Sequence, residues 1–125
     1  MNRFWSFLLL LLVASLTLAC GSGSNRRLQS IAIASVTNGQ QIQFVATGTF
    51  SASPTMVTPL PVFWSYAPPP GQYTLTTQPF TFQCDFEGVY PSPLIAWAPP
   101  DPNAPSSGSL SANTMIRTSA QITCP

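Results

Sequence analysis

Histidine and lysine are absent from this 125-residue chain, and charge of either sign is scarce: four arginines stand against three acids. Without histidine or lysine the usual proton carriers near neutral pH are missing. A zinc site would lack ligands, since only three cysteines are present. No serine stands in a Gly-x-Ser-x-Gly context. A nucleic-acid partner is excluded too, because so few arginines cannot neutralise a phosphate backbone. The remaining chemistry would be two carboxylates, Asp85 and Glu87, spaced i and i+2 and so about 7 Å apart on one strand face. With Asp101 and Asn103 they could hold Ca²⁺ or serve a glycosidase. A solvated strand face is the simpler reading, so neither an enzyme nor a cofactor is expected.

Helix is expected to be absent beyond the N-terminal region. All 14 prolines fall from Pro54 onward, and no stretch free of breakers shows a 3.6-residue period. The proline clusters at residues 67–71 and 98–105 must be extended or turning connections, because proline cannot donate to a sheet ladder.

Long apolar runs are likewise missing, with one exception. Arg3 precedes sixteen uncharged residues, 4–19, that include five consecutive leucines. That is the build of a secretory signal peptide, and it is short of the ~20 residues that a membrane-spanning helix needs. Ala19-Cys20-Gly21 resembles the end of a bacterial lipoprotein lipobox, in which a small residue precedes a cysteine that receives diacylglycerol. The family's usual leucine three positions before the cysteine is Thr17 here. The resemblance implies cleavage before Cys20, thioether-linked diacylglycerol, and an acyl group such as palmitate on the new amine. Gly21 in place of aspartate implies the outer membrane in a Gram-negative host. The alternative is ordinary signal-peptidase cleavage after Thr17-Leu18-Ala19, giving a secreted, non-lipidated subunit of an envelope assembly. The expected divisions are residues 1–19 as signal peptide, 20–27 as lipidated cysteine and flexible tether, and 28–125 as the domain.

Setting Cys20 aside leaves Cys84 and Cys124 in an exported chain, where disulfides persist. Phe80, Phe82, Cys84 and Phe86 alternate with polar residues, as do Ile116, Ala120, Ile122 and Cys124. Each cysteine thus lies on the apolar face of a half-buried strand, which predicts a disulfide. Two unpaired buried thiols are the alternative.

Further strands are predicted over residues 28–33, 40–50, 62–66, 72–77, 79–87, 94–98 and 114–124, with a turn at Asn38-Gly39. Short strands separated by turn chemistry indicate an all-β sandwich. Leu28-Gln-Ser-Ile31, Gly39-Gln-Gln-Ile-Gln-Phe44-Val-Ala46-Thr-Gly48-Thr-Phe50, Val57-Thr58 and Val62-Phe-Trp64-Ser65 resemble the bacterial immunoglobulin-like domain of group 2. The likeness is best over residues 28–66. Ser119-Ala120-Gln121-Ile122-Thr123 resembles the family's last strand without its leading glycine, and the family generally lacks the Cys84 and Cys124 pair. The resemblance implies a single immunoglobulin-like sandwich of about seven short strands.

The expected role is therefore non-catalytic. A membrane-anchored envelope lipoprotein would present the domain for structural or adhesive contact with a protein. The alternative is a carbohydrate-binding module stacking sugars on exposed aromatics, for which Trp97 and Tyr90 are the candidates. Trp64 is expected in the core, and core is also the favoured reading for Trp97. The expected partners are thus the membrane and an envelope protein or polysaccharide.

Overall fold

Strict alternation builds the first sheet. In β2 (Gln41–Phe50) Ile42, Phe44, Ala46, Gly48 and Phe50 are buried, and the residues between them are exposed or half-buried. That period of two places one face on a core and the other toward water. The computed structural model of the chain describes residues 26–67, 72–109 and 113–125. The signal region, Cys20 and most of the tether lie outside the described residues, as does the triple proline at 68–70.

β1 (Leu28–Asn38) pairs antiparallel with β2 along its whole length through a two-residue loop, Gly39-Gln40. Gly39 has φ of 62°, and a positive φ confined to the first loop residue is the type II′ pattern that favours glycine. The other edge of β2 is shared. β3 (Met56–Val57) takes Gly48 and Thr49, and Leu60 N–H donates to Ala46 O at 2.9 Å. β6 (Phe80–Gln83) takes the stretch from Gln41 to Phe44. The second sheet runs β10 (Ile116–Ala120), β8 (Leu94–Ala98), β4 (Phe63–Tyr66). Two small ribbons complete the fold: β5 (Gln72–Thr74) with β9 (Ser107–Ser109), and β7 (Gly88–Val89) with β11 (Thr123–Cys124).

Six strands thus carry the sandwich, and their order is that of an immunoglobulin domain. The first, second and fourth of them (β1, β2, β6) share one sheet. The third, fifth and sixth (β4, β8, β10) share the other, with the fifth in the middle. In that fold these are strands A, B and E against C, F and G. The chain is an all-β sandwich, with no helix among the described residues.

Two side-chain clusters fill the space between the sheets. Leu28, Ile31, Ala46, Phe50, Leu60, Val62, Ala96 and Ala98 occupy the end where β1 begins. Ile42, Phe44, Cys84, Tyr90, Leu94, Ile122 and Cys124 occupy the end where β1 stops. Ile33 and Trp64, both partly buried, pack against both, so Trp64 lies on the core face that its alternation predicts. The first end holds Arg26 and Arg27, the described part of the expected tether, and the second holds the disulfide and Pro125.

The expected last strand, 114–124, is two. β10 pairs with β8 and β11 with β7. The break falls at Gln121-Ile122, where Ile122 O accepts the backbone N–H of Tyr90 and Ile122 becomes completely buried. Similarly, the expected strand 79–87 ends at Gln83, and Phe86 is 54% exposed rather than buried.

Candidate functional site

At the disulfide end, Cys84 and Cys124 are bonded, with Cα atoms 5.9 Å apart. Cys84 follows β6 and its N–H donates to Gln40 O, so the bond links the hairpin edge to the last residues of the chain. Tyr90 lies beside it. Its hydroxyl accepts the N–H groups of Asp85 at 2.8 Å and Phe86 at 3.1 Å. Phe82 meets its ring edge-on at 4.7 Å, and Phe86 stacks on it at 4.0 Å. One phenol oxygen therefore satisfies two donors that left the sheet ladder when β6 ended, a requirement for any backbone taken from water. A tyrosine that hydrogen-bonds back to the backbone at the corner between strands E and F is a known device of immunoglobulin-like sandwiches.

This placement corrects the reading of Tyr90 as a sugar platform. The residue is 7% exposed, with its hydroxyl spent on backbone and its ring sandwiched. Trp97, for which burial is the favoured expectation over stacking, is likewise no platform. It projects from the outer face of β8, opposite Phe63 of β4, yet is only 5% exposed. Its Nε1–H donates to Ser65 Oγ at 2.9 Å, and the Arg117 guanidinium lies 5.4 Å from its ring centroid. The β5–β9 ribbon sets Tyr73 edge-on to Phe63, with the tyrosine ring resting on Gly108. Neither Trp97 nor Tyr90 offers a free face for stacking.

The carboxylates do not converge. Asp85 and Glu87 follow the end of β6 in a bend, not on a strand face, because the Tyr90 hydroxyl holds that backbone. Asp101 lies at the opposite end, where its Oδ1 accepts the Asn103 N–H. Among the described residues no group of three or more metal-binding side chains is arranged to hold an ion.

The tether end holds a feature that sequence reasoning missed. A cavity of about 220 Å³ opens between the sheets and the proline-rich loop 99–106, walled by Leu28, Phe50, Val57, Leu60, Leu75 and Ala98. Arg26 and Asp101 are its only charged lining residues. Arg26 lies 3.8 Å over the Phe50 ring. Its Nη2 donates to Pro54 O at 2.7 Å, and its Nε reaches Ala52 O and Pro54 O. Leu28 N–H donates to Pro100 O and Leu75 N–H to Ser106 O, which pins the loop as the outer wall. A proline run with no alternation gave no signal that it would form a wall.

Four large apolar side chains are exposed among the described residues: Val36 near the end of β1 and Phe86 and Val89 beside the corner lie at the disulfide end, and Met56, 67% exposed, lies at the other. No family model, curated protein or solved structure matches the chain.

Proposed function

We propose that the protein is a non-catalytic cell-envelope lipoprotein, anchored through Cys20 and presenting an immunoglobulin-like sandwich to a protein partner. The observation that carries this reading is the opposition of the two ends. The tether enters at Arg26 and Leu28, while the hairpin loop, the Tyr90 corner and the disulfide sit at the other end of the strands. A chain held by its N-terminus would therefore direct Val36, Phe86 and Val89 away from the membrane. An exposed aromatic side chain such as Phe86 is of the kind that protein interfaces enrich at their centre. The absence of histidine and lysine and the separation of Asp85 from Asp101 support a binding role over a catalytic one.

Two measurements test it. The intact mass of the protein from a bacterial membrane fraction should correspond to a chain starting at Cys20 and carrying three acyl chains. An unmodified chain in the soluble fraction means a secreted subunit instead. A photoreactive residue at position 86 should cross-link in cells to a discrete protein, and one at position 56, beside the tether, should not. Equal yields from both positions would refute presentation through the disulfide end.

A further inference from the structure

We propose that the cavity at the tether end binds a fatty-acid carboxylate drawn from the supporting membrane, with its chain in the cavity and its head at Arg26. The membrane as source rests on the anchoring reading above; the site itself rests on the cavity.

Three observations converge. The first is size and lining. At about 220 Å³ the cavity exceeds the roughly 150 Å³ apolar void that accepts benzene. It suits one hydrocarbon segment and not a whole diacyl lipid. Pro61, Leu75, Pro102 and Ala104 separate it from a more open depression lined by Thr76, Gln78 and Ser106, where a longer chain could continue.

The second is charge. Arg26 offers five N–H donors, and its hydrogen bonds run from Nε and Nη2 to carbonyl oxygens. Those bonds and the Phe50 ring fix the guanidinium at the wall, leaving Nη1, which has no partner among the described residues, for a carboxylate. Asp101 also lines the cavity and repels an anion, so the head is placed on the Arg26 side; one Asp101 oxygen accepts the Asn103 N–H.

The third is position. Five residues separate Cys20 from Arg26, and the six steps between them span at most about 22 Å. A chain anchored at Cys20 keeps the cavity within that distance of the bilayer, where single-chain amphiphiles concentrate.

The test uses the whole chain as isolated from cells, in phosphatidylcholine nanodiscs if its mass shows lipid and in buffer if it does not. Decanoate and decanol are titrated separately while methyl resonances are followed. Saturable shifts are expected at Leu28 and Leu60, with Ile42 and Ile122 of the other cluster unmoved. Val57→Phe, which fills the cavity from its half-exposed rim, should abolish the shifts. Ala104→Leu does the same from the loop if Val57→Phe fails to fold, with the Ile122 resonance reporting folding. Arg26→Gln should weaken decanoate about tenfold, the scale of one charge-assisted hydrogen bond, and leave decanol unchanged. Shifts that never saturate, that spread equally to Ile42 and Ile122, or that survive both filled variants would overturn the site. An Arg26→Gln chain that keeps its full affinity for decanoate would overturn the carboxylate assignment. A chain without lipid that still binds decanoate retains the site and removes only the anchoring premise.

Discussion

The two ends of the sandwich are closed by different physics. At the disulfide end a covalent bond, a tyrosine hydroxyl and packed rings act together: Phe82 on Tyr90, Tyr66 on Phe82, Phe44 against Phe80. At the tether end aliphatic side chains meet incompletely and leave a cavity, roofed by a loop held through backbone hydrogen bonds. One end is specified by a covalent bond and packed rings, and the other by aliphatic burial and hydrogen bonds to backbone carbonyls. The difference teaches where the fold tolerates change. A side chain beside a void can relax into it, and a side chain in a filled cluster cannot.

The largest test of that contrast is removal of the disulfide. Opening the loop closed by Cys84 and Cys124, 40 positions apart, through a double Cys→Ser change should cost about 4 kcal/mol. Urea denaturation measures it, and a loss below about 1 kcal/mol would mean the other contacts hold that end unaided. Next come matched truncations. Ile122→Ala, in the filled cluster, should cost about 4 kcal/mol, against about 2 kcal/mol for Leu60→Ala at the cavity wall. Equal costs would show that the ends are packed alike. Tyr90→Phe keeps the ring and deletes the acceptor of two N–H groups, for an expected loss of about 2 kcal/mol. Faster amide exchange at Asp85 and Phe86 should accompany it. The smallest effect is expected at Gly48. A Cβ there would stand 2.8–2.9 Å from side-chain carbons of Leu60 and Leu28, but both border the cavity and have room to move. Gly48→Ala should therefore change stability by less than about 1 kcal/mol, since the gain in strand propensity offsets part of the clash. A larger loss would mean that the cavity walls are rigid.

Much of this fold was legible because alternation is a local signal. Ile42, Phe44, Ala46 and Phe50 announce a half-buried strand without reference to any partner. Cys84 and Cys124 announce a disulfide by the apolar faces they share. What escaped is what depends on partners distant in sequence. β9 is Ser-Gly-Ser, with no apolar pattern, and exists because β5 lies alongside it. Asp85 to Glu87 continue the alternation of β6, yet a phenol oxygen four or five residues downstream draws that backbone off the ladder. The same competition decides the aromatics. Trp97 falls on the outward register of its strand, and its burial there depends on Phe63, Ser65 and Arg117, which other strands bring alongside. The cavity was invisible for a related reason, because a void is defined by residues from several segments and by no motif.

The opposed ends also set how the molecule would carry load. A pull applied between Leu28 and Cys124 runs along the strands. The β1–β2 ladder, ten residues of β2 paired with β1, is then loaded in shear, its hydrogen bonds strained together instead of opened one after another. The bond from Cys84 to Cys124 also removes the 40-residue span between them from the length that can be drawn out. Extension past rupture would stop on the order of 200 Å, with the Tyr90 corner still closed inside the undrawn loop. A protein built this way would act as a short, stiff strut with a limited stroke.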